Sequence, residues 1–200
     1  MQQRPVRTPA VVPRPGVQLT TPGPEPTDAP EVVRALLTMR ALGVLGQREP
    51  RHSSALAAQA VALGLGGPAA VALAARYTDD DPEGLDSELV DCLDELGWST
   101  AGMSTADAAV HLTRARAAHV LTGAADGRSV AAWVNARFAW DEAVTTGAFD
   151  GFVGLHWEFE ELDELAEHDP GARWVFPDVD DVAAAFINDT SPVVERWRRR

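Results

Sequence analysis

The stretch from Pro82 to Gly97 reads PEGLDSELVDCLDELG. Leu85, Leu89, Cys92, Leu93 and Leu96 recur at the three-and-four spacing that brings side chains onto one face of an α-helix. Asp86, Glu88, Asp91, Asp94 and Glu95 take the rest of the circumference. Proline suits the first helical position, where its missing N–H has no partner to lose, and Gly97 ends the pattern. One face seeks a core and the other seeks water.

The same reading extends in both directions. Upstream, Val33, Leu36, Leu37 and Arg40 form a short amphipathic stretch from Glu31 to near Gly43. A second runs from an expected cap at Ser53 to the glycine-rich turn at Gly64. A third begins at Pro68 and reaches Tyr77. Downstream, Ser104 and Asp107 match a capping box that opens a helix ending at Gly123. Val130, Trp133, Val134, Arg137 and Phe138 follow the helical rule again. Phe152, Leu155, Phe159, Leu162 and Ala166 then line a helix from Asp150 to Pro170-Gly171. Arg173–Pro177 reads as extended, and a last helix is expected over Asp180–Asn188. Breaks every ten to twenty residues point to an all-α, irregular bundle of about seven or eight short helices, not a long coiled coil.

Residues 1–30 are of another kind. Pro5, Pro9, Pro13, Pro15, Pro22, Pro24, Pro26 and Pro30 forbid a helix and leave little to bury, so a disordered proline-rich arm is expected there. No two of these prolines are three apart, so the spacing read by proline-binding grooves is missing. The division expected is an arm over 1–30 and a single helical domain over 31–200.

Composition narrows the function classes. The 200 residues carry 17 basic and 30 acidic side chains, a net charge of −13, and every basic one is arginine. The two ends are basic, so the acidic excess lies in residues 31–195. Such a body repels phosphate polymers and anionic membranes and favours basic partners, so no nucleic acid is expected on its globular part. Cys92 is the single cysteine, which rules out an intrachain disulfide and a cysteine zinc site. Met1–Pro5 lack the apolar run of a signal peptide, and no segment approaches eighteen uninterrupted apolar residues. A cytoplasmic chain without membrane spans is the expectation.

No catalytic, cofactor or metal signature stands out. Gly64-Leu65-Gly66-Gly67-Pro68-Ala69 fits a dinucleotide fingerprint in letters, but it follows a helix where that site needs a strand. Asp79, Asp81, Glu83 and Gly84 mimic the start of a calcium loop whose closing glutamate is replaced by Val90. His111 and His119 lie two turns apart on one helix. His119 falls in line with Ala108, Leu112 and Ala115, which suggests a core histidine. Cys92 sits within an apolar stripe, where a thiol behaves as a small hydrophobe.

The densest chemistry is on the helix after Asp150, where Glu158, Glu160, Glu161 and Glu164 crowd around Trp157. Like charges at helical spacing cost some tenths of a kcal/mol per pair. Two explanations compete: a solvated face, or a docking surface for an arginine- or lysine-rich protein anchored by Trp157. The second leads to the expectation of a non-enzymatic binding protein, immunity- or antitoxin-like or an accessory subunit. The rival is a small helical metal-binding protein or enzyme using His156, Glu158 and Glu161 with a distant histidine. The arginines at 196 and 198–200 suggest either neutralisation of the acidic face or an unordered tail.

From Leu121 to Asp169, Gly123, then Ala131-Ala132-Trp133-Val134, then Phe152-Val153-Gly154-Leu155 with Trp157-Glu158, resembles a pattern found in helical bacterial proteins that have no assigned activity. It covers about a quarter of the chain. The resemblance implies an all-helical fold and carries over no catalytic residue.

Overall fold

The computed structural model describes residues 28–47, 50–76, 82–144, 147–169 and 178–198. Among these it contains eight α-helices: α1 (Ala29–Val44), α2 (Pro50–Ala62), α3 (Pro68–Ala74), α4 (Pro82–Glu95), α5 (Thr105–Leu121), α6 (Gly127–Phe138), α7 (Asp150–His168) and α8 (Val179–Glu195). A 3-10 turn at Gly147–Phe149 leads into α7. The described residues form no β-strand, only one antiparallel bridge between Trp98 and Arg198. The expected all-α bundle of short helices is the fold.

Local chemistry accounts for most of the boundaries. Asp28 caps α1 by accepting the Glu31 N–H at 2.8 Å, so Asp28, Ala29 and Pro30 belong to the folded body. The rest of the expected arm lies outside the described residues. Ser104 and Asp107 complete the capping box of α5, each side chain accepting the other's backbone N–H. Asp126 caps α6 through Ser129. Gly97 and Gly123 end α4 and α5 with φ of +86° and +70°, a conformation that costs a side-chain-bearing residue about 1 kcal/mol or more.

Three boundaries depart from the sequence reading. Ser53 lies inside α2 and is buried, because that helix begins three residues earlier, at Pro50. The third helix stops at Ala74, short of Tyr77. The last helix runs seven residues past Asn188 despite Pro192 inside it. Pro192 cannot donate to the Asn188 carbonyl. Just upstream, the helix is held from the side: the Arg114 guanidinium donates to the Ile187 carbonyl and to the Thr190 and Ser191 hydroxyls. The expected extended segment at Arg173–Pro177 lies outside the described residues, as do Asp79–Asp81 of the calcium-like loop, whose remaining positions belong to α4.

Helix α5 is the spine, packing against α1, α6 and α8. One core gathers α1–α4 around Leu36, Leu37, Leu73, Leu89 and Leu93. Another gathers α5–α8 around Val130, Val134, Phe138, Phe152 and Phe186. Its aromatic rings form a chain: Phe138 meets Phe149 at 5.4 Å, Phe149 meets Phe186 at 5.6 Å, and Phe152 meets Phe186 edge-on at 5.5 Å. A small third core joins the two, built from Ala41 and Leu42 of α1, Met103, Ala108 and Leu112 around α5, and Trp197 beyond the end of α8.

Candidate functional site

Helix α7 is amphipathic in the way its sequence announces. Phe152, Leu155 and Phe159 are buried, with Leu162 and Ala166 half-buried on the same side. The opposite side carries Trp157, Glu161, Glu164 and His168 at spacings of four, three and four residues, one line along the helix. Glu160 flanks that line on one edge, and Glu158 and Leu165 on the other. All of these side chains are exposed. Trp157 shows 54% of its surface to solvent and Leu165 shows 39%. Two exposed apolar side chains, Trp157 and Leu165, therefore stand in a field of carboxylates.

Among the described residues, the cation that reaches this helix is Arg128 of α6. It pairs with Asp163 and lies 5.3 Å above the Phe159 ring. The Asp163 hydrogen bond, with Asp163, Glu160 and Asp126 as nearby charges, raises the already high guanidinium pKa. Glu158, Glu161 and Glu164 have no cation within ion-pair distance among the described residues. At the helix end, His168 Nδ1 approaches the Glu164 carbonyl at 2.7 Å. A carbonyl can only accept, so Nδ1 carries the proton and satisfies one of the last open carbonyls of α7.

The proposed His156–Glu158–Glu161 ligand set is not assembled. His156 and Glu158 are two residues apart on one helix, so their side chains diverge by about 160°. His156 leans on Trp157, ring centres 5.3 Å apart, and Glu158 and Glu161 face water. Among the described residues, no three His, Cys, Asp or Glu side chains converge in a geometry able to hold a metal ion.

The core-histidine reading fell on the wrong residue. His119 is exposed, whereas His111, one heptad plus one residue earlier, is buried. The first half of α5 is surrounded by α1, α8 and the segment around Trp197. Its second half packs against α6 and α8 and leaves Ala118, His119 and Leu121 exposed. Burial alternates with neighbours, which periodicity within one helix does not register. The His111 ring lies 6.2 Å from that of Trp197, and its Nε2 is 3.4 Å from Thr38 Oγ1. Because the Thr38 hydroxyl already donates to the Arg34 carbonyl, Nε2 is the donor in this pair. Burial, with the Arg114 charge adding to it, pushes the ring down to about 4.

The glycine-rich turn is explained by an internal anion. The Glu95 carboxylate accepts the N–H of Ala69 at 3.0 Å and that of Ala70 at 3.2 Å, at the start of α3. Gly67 leaves room for it, since a Cβ there would sit 3.0 Å from the carboxylate. The amides that a phosphate would need are taken. Cys92 lies fully buried in its stripe, and burial together with Glu95 pushes its thiol up to about 11, so it stays protonated.

The arginine-rich end does not reach α7 through its described residues. Arg196 pairs with Asp107 at the start of α5, and Arg198 lies 6.0 Å above the Trp98 ring. For these two residues, neutralisation of the α7 face of the same chain and the unordered reading both give way to docking on the α4–α5 connection and the start of α5. No helix among the described residues is long and apolar enough to cross a membrane. No protein-family model matches the chain, and the comparisons with curated proteins and with solved structures likewise return no match.

Proposed function

We propose that this chain is a non-enzymatic binding protein that docks a basic protein partner on the outer face of α7, with Trp157 as anchor and Glu158, Glu160, Glu161 and Glu164 around it. The observation that carries this reading is a half-exposed tryptophan set among glutamates, three of which have no cation of the described chain near them. A large aromatic is a frequent anchor of protein interfaces, and a field of carboxylates selects for arginine and lysine and speeds encounter. The same charge opposes nucleic acid as the ligand. An immunity- or antitoxin-like role, or that of an accessory subunit, matches a small acidic helical chain. A cytoplasmic setting is in keeping with a lone, buried, unpaired thiol.

The test compares the unmodified chain with a triple charge reversal (Glu160→Arg, Glu161→Arg, Glu164→Arg) and with Trp157→Ala as baits. Retained proteins are identified by mass. A basic protein held by the unmodified chain, lost on charge reversal, weakened by Trp157→Ala and released by moderate salt supports the reading. Equal retention by all three baits, or retention indifferent to salt, removes it.

A further inference from the structure

Residues 53–75 form the longest uncharged run of the chain, with no Asp, Glu, Arg or His, although 24% of all residues are charged. The run builds most of α2, the turn at Gly64–Gly67 and all of α3. Its inner side is satisfied: Ala57, Ala60, Ala70 and Leu73 are fully buried in the core of α1–α4. Its outer side is apolar as well. Val61, Leu63 and Val71 are 37%, 44% and 52% exposed, and Ala58, Ala62 and Ala72 are exposed too.

The outer sides of the two helices adjoin. A Cβ on Gly66 would lie 2.5 Å from the Ala70 Cβ and 3.2 Å from a Val61 methyl group, so the turn presses the end of α2 against the start of α3. Neither helix contains an acid, and the Glu95 carboxylate that reaches α3 is engaged by the Ala69 and Ala70 N–H groups. Exposed helix positions accept Glu, Gln or Arg almost as readily as Ala, so the fold itself does not call for an apolar exterior here. Apolar side chains exposed singly need no explanation, whereas adjoining ones mark a contact surface.

We propose that the outer face of the α2–α3 hairpin is where a second copy of this chain docks, apolar side on apolar side. Charge selects the occupant. A basic partner of the kind that suits α7 finds no carboxylate on this face to pair with. Two copies, each with a net charge of −13, repel wherever acidic surfaces meet, and a two-fold contact sets each surface against itself. A face without charge lets them meet with no carboxylate opposing its own copy, and the same side chains serve both partners. Helices that lie on membranes, by contrast, border their apolar side with Lys and Arg, which residues 53–75 lack. Much of the run faces inward, so the contact is smaller than the roughly 20–30 residues a side of a standard interface, and the dimer dissociates at roughly 10–500 μM. The site is distinct from the outer face of α7 and stands or falls apart from it.

Sedimentation velocity from about 10 μM to about 1 mM follows the mass of the unmodified chain and of three variants. The expected result is a reversible monomer–dimer equilibrium. Leu63→Glu with Val71→Glu should weaken it at least tenfold, and Val71→Ser, which adds no charge, about threefold, with the far-ultraviolet circular dichroism of each unchanged. Trp157→Ala should leave it as it is. Sodium chloride should tighten the dimer by screening the repulsion between the two bodies. A chain that stays monomeric throughout overturns the proposal. So does a dimer that ignores Val71→Ser, that Trp157→Ala dissolves, or that salt takes apart. Retention on phosphatidylcholine vesicles that the double variant loses, by a chain monomeric without them, would make the occupant a lipid surface and overturns it too.

Discussion

His111 shows how one buried ring ties stability to pH. The folded chain keeps it neutral down to about pH 4, while the unfolded chain takes up the proton near 6.5. Its contribution is therefore complete above 6.5 and is lost as pH falls from there towards 4. Urea unfolding at pH 7 and at pH 4.5 should show a larger loss of stability in the unmodified chain than in His111→Leu. Parallel losses would show that the ring does not matter to acid sensitivity. Phe138 makes a simpler case. Its ring is 2% exposed and packs edge-on against Trp133 at 5.1 Å, so Phe138→Ala should cost about 3–5 kcal/mol in the same assay. A loss below about 1 kcal/mol would mean that the core of α5–α8 closes over the gap.

At the scale of the helices, the joint between α6 and α8 is the most demanding. A Cβ on Gly127 would lie 2.9 Å from the Cβ of Val179 and nearer still to one of its methyl groups. Val179 opens α8 and is β-branched, so it has little rotamer freedom with which to move away. Gly127→Ala should therefore destabilise by about 1–3 kcal/mol, although alanine is the better helix former. Thermal melting decides the sign, and a gain would show that the start of α8 yields. Ser104→Ala should remove half of the α5 capping box and cost about 1 kcal/mol.

The helices also show what a sequence can disclose. Pattern and punctuation sit close together in the chain, so the stripe from Leu85 to Leu96, the Ser104–Asp107 box and the inner face at Phe152, Leu155 and Phe159 were all legible. What escaped depends on partners far away in sequence. The overrun of α8 through Pro192 rests on Arg114. The burial of His111 in place of His119 rests on what covers each half of α5, and the destination of Arg196 rests on Asp107. The crowded carboxylates of α7 were visible as a list of letters. That Trp157 lies in line with Glu161 and Glu164, while His156 and Glu158 point apart, follows from helix geometry once the span is known.

The described residues form two large cores joined by a third, small one, with Trp197 in the seam. Such an arrangement should unfold in one transition as long as the seam is filled, with near- and far-ultraviolet circular dichroism curves superimposing. The net charge of −13 adds self-repulsion over this surface. Added sodium chloride should therefore raise the melting temperature. A fall would mean that pairs such as Arg76–Glu88, 3.0 Å apart, outweigh the repulsion.

The uneven wetting of the indoles gives this chain a built-in optical record. Of its six tryptophans, Trp140 is 81% exposed and Trp157 is half out in water, while Trp197 is sealed between apolar walls. Water relaxing around an excited indole moves its emission to the red, so the steady-state spectrum should be a blend of a blue emitter and red ones. A collisional quencher such as acrylamide should strip away the red part first. Any event that lifts Trp197 from its seat should then be seen as a colour change with no loss of helix.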